Sequence, residues 1–303
     1  MKTLTLLKTA IASTAFLAVF TLFPMTVRGQ VLCSAPHSSP TLLESAGERT
    51  LPVGQGWVQV ATSFNRATDA FNFLGNRQDF LGDAVFQTRS LYLTAAYGLV
   101  PGVEIWGQVP VHSLRVRASA GEARKAGIGD LRAAVRLSPA IFGLEAPVAV
   151  RVGYKHPGAS FPVDATELPL SEGQSDLEVS VESGWQSDRL PVYVAGWTGY
   201  RWRSENVDTD HTPGNETFAH LAVGGGFGAI GWQLGLDALW GGAPIDQGLR
   251  LTSQNRRLLQ IVPSVASNVG PGTLEVSVPV SLSGRNLPAG YTLGLGYRLA
   301  WGR

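Results

Sequence analysis

Ionisable residues recur at even spacings in one stretch of this sequence, in blocks of a single sign. The basic block comprises Arg132, Arg136, Arg151 and Lys155, the acidic block comprises Asp176, Glu178 and Glu182, and Arg201 follows them. If the segments that carry these blocks lie side by side, opposite charges can pair across neighbouring strands. The same residues could instead set up a field across a pore that orients polar or charged solutes. The sequence leaves both interpretations open: a structural ion-pair network and a charged solute path.

Four aromatic residues fall on the same alternate positions of their segments as these charges. They are Tyr92, Trp106, Tyr193 and Trp197. Their rings could stack on an aromatic substrate, or they could fill space beside small residues such as Ala195 and Gly199. Together with the charged residues, they form the predicted solute path.

The positions between the charges are apolar. Residues 131–137, 148–155 and 177–185 each alternate apolar and polar side chains with a period of two. This period predicts β-strands with one apolar and one polar face. An antiparallel sheet with one face in water would satisfy the pattern, and so would a membrane barrel with lipid outside and a polar lumen inside.

The rest of the chain favours the barrel. Alternating segments are predicted at 56–65, 85–98, 103–116, 129–138, 147–156, 175–185, 191–202, 218–228, 231–241, 257–267, 273–283 and 290–301. Long polar connections near 66–84, 117–128, 157–174, 203–217, 242–256 and 284–289 alternate with short ones near 99–102, 139–146, 186–190, 229–230 and 268–272. An even strand number with loops segregated by length is typical of outer-membrane barrels. The predicted fold class is therefore all-β, a transmembrane antiparallel up-and-down β-barrel of about 12 strands.

Two further features bear on the barrel prediction. The apolar faces carry aromatic residues near both strand ends, as expected at the two membrane interfaces. Those predicted near the short-turn ends are Tyr97, Trp185, Phe227, Trp232, Tyr297 and Trp301, and those near the long-loop ends are Phe64, Tyr154, Tyr200, Trp202, Trp240 and Tyr291. Prolines at 110, 263 and 279 fall inside predicted strands, so each should mark a bulge or a strand end.

Composition and the N-terminal segment define the domain organisation. Lysine and arginine number 24 against 23 acidic residues, a balance that argues against nucleic acid as a partner. Two lysines precede an apolar run over residues 9–25, which predicts a cleaved signal peptide at 1–29. Residues 30–54 are predicted to be a periplasmic leader or a plug, and residues 55–303 the barrel. The single cysteine allows no intramolecular disulfide.

Several short motifs resemble the outer-membrane barrel family of the MetA pathway of phenol degradation. They are Gly127-Ile128-Gly129-Asp130-Leu131, Tyr97-Gly98, Val109-Pro110-Val111, Lys155 and Gly173-Gln174-Ser175-Asp176. Val111 departs from the family's usual aromatic residue, and the chain ends in Gly302-Arg303 instead of an aromatic residue. The resemblance implies an exported barrel that admits aromatic or other apolar compounds.

Other chemistry has little support in the sequence. The five histidines lack the neighbours of a catalytic site, and His112 and Ser113, being adjacent in a strand, should point to opposite faces. Asp208, Asp210 and Glu216 lie in a predicted loop without the spacing of a calcium site. We therefore predict no enzyme activity, no metal and no cofactor.

The sequence predicts a channel in the outer membrane of a Gram-negative bacterium, for passive uptake of small molecules that include aromatic or apolar ones. Its expected partners are outer-membrane lipid and a small-molecule solute. The alternative is a non-transporting structural or adhesion barrel whose long extracellular loops are the working surface. The sequence gives neither the substrate nor the oligomeric state.

Overall fold

A computed structural model describes residues 50–80, 83–119, 121–159 and 168–302. The predicted signal peptide, and the predicted leader up to residue 49, lie outside these ranges. Twelve antiparallel strands form the barrel: β1 Gly56–Phe71, β2 Val85–Val100, β3 Val103–Ala118, β4 in two stretches, Gly121–Ile128 and Leu131–Leu137, β5 Val148–His156, β6 Asp176–Gln186, β7 Val192–Arg203, β8 Glu216–Phe227, β9 Ile230–Gly241, β10 Arg257–Val269, β11 in two stretches, Gly272–Ser277 and Val280–Arg285, and β12 Leu287–Trp301.

The sheet closes on itself. Each strand pairs with its neighbours in sequence, and β1 pairs with both β2 and β12. The closing ladder runs from Gly56 opposite Trp301 to Phe71 opposite Leu287. A closed ladder leaves no unpaired sheet edge, which satisfies the backbone polar groups of a chain in lipid. Within the described ranges, no helix has both the length and the apolar character needed to cross a membrane.

The two faces of the wall differ as the alternation predicted. Outward positions carry exposed aliphatic side chains such as Leu91, Leu93 and Val152, whereas inward positions carry buried polar ones such as Gln108 and Lys155. This profile is that of a barrel with lipid outside and a polar lumen inside. The predicted transmembrane barrel of twelve strands is therefore confirmed.

The three prolines lie at two interruptions of the ladder. Pro110 faces the break between the two stretches of β4, where Gly129 N donates to Pro110 O at 3.0 Å. Pro263 faces the break in β11 that contains Pro279, and Val278 N donates to Pro263 O at 3.0 Å. Each proline therefore lies at a break in the ladder, where a missing N–H leaves no hydrogen bond unmade, in agreement with the predicted bulge or strand end.

Connections differ in length between the two ends of the barrel, called here the long-loop end and the short-turn end. Two predicted long connections are wrong. Residues 117–128 are mostly strand, because β3 and β4 continue as a paired hairpin through Ala118 opposite Gly121. Residues 284–289 contain a tight turn at Asn286, whose φ is 51°, between the last residue of β11 and the first of β12. Both segments are polar, yet their backbones remain hydrogen-bonded in the ladder.

The predicted interfacial aromatics lie on the outward face. Near the long-loop end, Tyr154, Trp202 and Trp240 are each about half exposed, and Trp185 and Trp301 are similarly exposed near the short-turn end. Trp301, the last strand residue, packs over Gly56, where a Cβ would lie 2.3 Å from its ring. The two belts enclose the aliphatic band, as expected for membrane interfaces.

Candidate functional site in the barrel lumen

Strands β7 and β8 and the loop before β10 bring Glu216 between three arginines at the long-loop end of the lumen. Arg201 Nη1 lies 3.1 Å from Glu216 Oε2, Arg203 Nη1 lies 3.2 Å from Oε1, and Arg256 Nη2 also binds Oε1. Arg201 additionally pairs with Glu178 at 3.1 Å. The Glu216 side chain has no exposed surface. Such a buried carboxylate is tolerable only because cations surround it.

A second part of the same cluster centres on Lys155. Its Nζ lies 2.8 Å from Asp176 Oδ2 and 3.4 Å from Asp130 Oδ2, and it also donates to Glu172. Glu172 lies in the long loop between β5 and β6 and is bound at 2.6 Å by Arg203. This loop therefore folds onto the lumen wall. The group, called here the long-loop cluster, comprises Lys155, Arg201, Arg203 and Arg256 with Asp130, Glu172, Asp176, Glu178 and Glu216.

The charges around Glu172 determine its protonation. Burial alone would raise the pKa of this carboxyl group, but the nearby cations Arg203, Lys155 and Arg256 outweigh burial and hold the pKa well below its ordinary value. Glu172 is therefore ionised at neutral pH, which keeps the loop attached to three cationic side chains.

A smaller group lies near the short-turn end and is called here the short-turn cluster. Arg136 Nε lies 2.7 Å from Glu182 and its Nη1 lies 3.4 Å from Glu104, while Arg151 pairs with Glu182 at 2.8 Å. Glu104 Oε2 also accepts a hydrogen bond from the Leu51 backbone N–H at 3.0 Å. The chain before β1 is thus fastened to a lumen residue at the short-turn end.

The four predicted aromatic residues all point into the lumen, and each contacts a polar or charged group. The Arg151 guanidinium lies 5.7 Å from the Trp106 ring centre, and Trp197 stacks on His220 with 3.9 Å between ring centres. Tyr193 donates a hydrogen bond to Gln233 at 2.6 Å. Tyr92 meets His112 edge to face at 6.0 Å. All four aromatic side chains remain half-buried, whereas most of the charged groups in the two clusters are almost fully enclosed.

Lumen glycines make room for some of these large side chains. A Cβ on Gly224 would lie 2.4 Å from the Tyr193 ring, and a Cβ on Gly199 would lie 2.5 Å from the Phe218 ring. Both distances are far below van der Waals contact, so any larger residue would displace the ring. The glycines therefore belong to the packing of the lumen as much as the aromatics do.

His220 forms a buried dyad with Asp237, which also accepts a hydrogen bond from Gln260 at 2.8 Å. A histidine oriented by a carboxylate is two thirds of a nucleophile-activating triad. However, His220 Nε2 has no hydrogen-bond partner within the described part of the chain, so no serine, threonine or cysteine there completes the triad. His112 likewise pairs with Ser90, at 2.7 Å, and not with Ser113.

The predicted site residues all point into the lumen, and further ionisable residues that the sequence analysis did not identify lie beside them. Arg132 also points inward, opposite Lys155 and Gln108 in the ladder. Sequence reasoning missed Glu216, which was assigned to a loop but is the first residue of β8. It also missed Glu172, Arg256 and the His220–Asp237 pair. The inward parity of β8 and β9 would have found Glu216, His220 and Asp237, whereas Glu172 and Arg256 lie in loops without any period.

No family model and no curated protein matches this chain. Among solved structures, the COG4313 outer membrane channel from Pseudomonas putida F1 matches with a TM-score of 0.70 at 17% identity, over 86% of this chain and 100% of that one. The CymD monoaromatic hydrocarbon channel matches at 0.44 and 11%, over 84% and 90%. The β domain of the Bordetella autotransporter BrkA matches at 0.46 and 11%, over 82% and 99%. The first likeness shows that the chain shares the fold of an outer membrane channel.

Proposed function

We propose that this protein is an outer-membrane channel for passive uptake of small molecules, including aromatic or apolar ones. The observation that carries the proposal is the difference between the two kinds of lumen residue. Most of the charged groups are enclosed by their partners, whereas Tyr92, Trp106, Tyr193 and Trp197 keep exposed surface inside the barrel. Aromatic surface that faces open lumen can stack on a flat solute. The shared fold with a protein described as an outer membrane channel supports the same function.

In this proposal, solute enters at the long-loop end, which faces the cell exterior. It passes the long-loop cluster, whose four cations are paired with five carboxylates, and then reaches the aromatic side chains. The movement follows the concentration gradient, and no residue has to change its protonation state. We propose no catalytic step, since the His220–Asp237 dyad has no nucleophile in hydrogen-bond reach among the described residues.

The residues just before β1 support a second part of the proposal, that the leader narrows the short-turn mouth. Besides the bond from Leu51 to Glu104, Thr50 Oγ1 lies 3.2 Å from Ser138 Oγ. The carbonyl of Pro52 lies so close to Gly98 that a Cβ there would be 2.2 Å away. The described end of the predicted leader, residues 50–54, therefore packs against the short-turn ends of β2, β3 and β4.

The ion-pair network supports the alternative function, a structural or adhesion barrel that transports nothing. Glu216, Arg201 and Asp176 are almost completely buried, which is what a filled lumen requires. In that case the long loops would be the working surface. The two functions differ in one measurable property, the entry of solute into a sealed compartment.

The test is solute entry into liposomes that contain the refolded mature protein, with a small sugar and a small phenol compared after correction for passive leak. We expect faster entry of the phenol, and slower entry in Trp106→Ala and Trp197→Ala because the stacking surface is lost. Trp202→Ala is the matched control, since Trp202 lies on the outward face. Acceleration of neither solute would favour the non-transporting barrel. Equal loss in all three variants would disprove the role of the lumen aromatics.

A further inference from the structure

The outward face of the barrel carries a group of charges that is separate from the lumen. Five arginines lie near the long-loop ends of β1 to β4, at positions whose sequence neighbours point inward: Arg66, Arg89, Arg115, Arg117 and Arg124. We call this group the arginine patch. Glu122 lies among them, so five positive charges and one negative charge leave a formal charge of +4.

Strand register places these side chains next to one another. Arg66 is opposite Gln87, Gln87 is opposite Arg115, and Arg115 is opposite Arg124, which makes one row across four strands. Arg89 lies one outward position nearer the middle of the barrel, and Arg117 one position farther from it. Directly opposed residues on one face have Cβ atoms about 5 Å apart. The patch is therefore continuous, although its members come from distant parts of the sequence.

Glu122 holds three of the guanidinium groups together. Arg115 Nη2 lies 2.7 Å and Arg117 Nε 3.3 Å from Glu122 Oε2, and Arg124 Nε binds Oε1. These contacts lower the pKa of Glu122 to about 2, chiefly through the hydrogen bonds from Arg115 and Arg124. Each guanidinium has five N–H donors, and one carboxylate accepts only a few of the fifteen. Most of these donors remain available to an anion.

The height of the patch coincides with the edge of the apolar band. On β2, the outward residues run from Tyr97 through Leu93 and Leu91 to Arg89. Eight residue steps of about 3.4 Å, on a strand tilted by about 40°, span roughly 21 Å along the membrane normal, and the row of Arg115 lies about 5 Å higher. The hydrocarbon-facing band of such barrels is about 25 Å tall. The arginines therefore lie at the level of lipid headgroups.

The opposite wall of the barrel, formed by the described strands β5 to β9, has no outward arginines at this level. Near the long-loop end, β5 to β9 present Tyr154, Trp202 and Trp240 outward, and no lysine or arginine occupies an outward position along these five strands, all of which are described. An aromatic interface is the general pattern of membrane proteins. Outward arginines of the described strands are therefore confined to the other side, where Arg257 and Arg285 form a separate pair on β10 and β11. The five arginines of the patch form the larger, continuous group, and they call for a local anionic partner.

We propose that the arginine patch binds the phosphate groups of lipid A, the phosphorylated glycolipid of the outer leaflet. The planar guanidinium fork matches phosphate with paired hydrogen bonds. The acyl chains would lie along the exposed aliphatic row directly below, formed by Leu91, Val111 and Ile128. This lipid site is independent of solute passage and would persist in a barrel that transports nothing.

The test compares lipid binding to the refolded full-length mature protein and to the variant Arg115→Gln/Arg124→Gln, by native mass spectrometry with purified bis-phosphorylated lipid A. We expect about 30-fold weaker binding in the variant, since each arginine near an anionic surface contributes a factor of about 5 and two are removed. Arg257→Gln is the matched control, because Arg257 is outward and at the long-loop end of β10 but outside the patch. Its binding should equal that of the unmodified protein.

Two lipids complete the experiment. Dephosphorylated lipid A should bind weakly to the unmodified protein and to each variant. Phosphatidylglycerol should not displace bis-phosphorylated lipid A from the unmodified protein. Equal binding of the dephosphorylated lipid, full competition by phosphatidylglycerol, or unchanged affinity in the double variant would each overturn the proposal. If the double variant does not refold, Arg66→Gln/Arg89→Gln removes two patch charges that do not pair with Glu122, and the same loss is expected.

Discussion

Glu216 is the residue on which the long-loop cluster depends, because three guanidinium groups meet at one buried carboxylate. Replacing it in Glu216→Gln would leave those cations buried with less than their counter-charge. Breaking a buried pair by removing one partner costs about 3–5 kcal/mol. We expect a loss of that size in the free energy of unfolding, measured by urea titration of the refolded protein in bilayers. An exposed carboxylate provides the control: Glu205→Gln, in the loop after β7, should leave the unfolding free energy unchanged within error, and an equal loss in both variants would contradict the argument.

The residues of the long-loop cluster differ in how well the sequence predicts their positions. Opposite signs on β6 and β7 predicted that Glu178 and Arg201 could pair, and they do, at 3.1 Å. Both lie in the middle of alternating segments, so parity alone placed them on one face. For Glu216 the sequence predicts a loop, because the apolar alternation of β8 begins only at Phe218. Glu172 and Arg256 approach from loops, and no periodic signal fixes where a loop side chain ends.

Among the elements, the loop before β6 is the one whose position depends on ionisation. Its Glu172 has a lowered pKa, so the carboxylate contributes stability above the unfolded value of about 4.3, and this contribution is lost as the pH falls. Glu172→Gln should reproduce the acid state at neutral pH. We expect amide hydrogen exchange in residues 168–175 to rise about tenfold or more, because the loop loses buried ion pairs.

The matched control for this loop is Glu205→Gln, in the next long loop, where the side chain is exposed. It should leave exchange in residues 168–175 unchanged. In the unmodified protein, protection of the same residues, corrected for intrinsic exchange, should fall when the pH is lowered below about 4. Equal protection at neutral pH in Glu172→Gln and the unmodified protein would mean that other contacts hold the loop.

The sequence predicts strands better than connections, because lipid surrounds the strands and water surrounds the connections. Within the bilayer, outward residues must be apolar, so a period of two is visible for each strand. The hairpin of β3 and β4 continues beyond that level, where outward arginines are as suitable as aliphatics. Its backbone remains paired from Val111 opposite Ile128 to Ala118 opposite Gly121, but its last outward positions, Arg115, Arg117, Glu122 and Arg124, are charged instead of apolar. The polar sequence over 117–128 therefore resembled a loop.

For the molecule as a whole, strand number, closure and the inside–outside pattern follow from local sequence, because each strand repeats one rule. The arrangement of side chains that fill the lumen does not follow from local sequence. It depends on contacts between strands that are not neighbours in the sheet, as the contact of Glu182 on β6 with Arg136 on β4 illustrates. The sequence therefore favours an ion-pair network over a charged path without excluding the path, and the distances in the lumen support extensive pairing.

Extensive pairing has a consequence for ion passage through the whole barrel. The long-loop cluster holds four cations and five carboxylates, and the short-turn cluster two of each, so the two clusters together have one excess negative charge. The other inward-pointing ionisable side chains of the described strands balance one another, since Arg132, Arg298 and Lys125 offset Asp237, Glu275 and Asp69. A single charge about 4 Å from an ion in water contributes about 1 kcal/mol, which is a factor of roughly 5. We expect a cation-to-anion permeability ratio above one but below about 5, measured as the reversal potential in planar bilayers under a salt gradient. Glu178→Gln equalises the long-loop cluster and should bring the ratio close to one, whereas Glu205→Gln outside the lumen should not change it. Strong anion preference in the unmodified protein, or a ratio that rises in Glu178→Gln, would show that the paired charges do not govern the field along the pore.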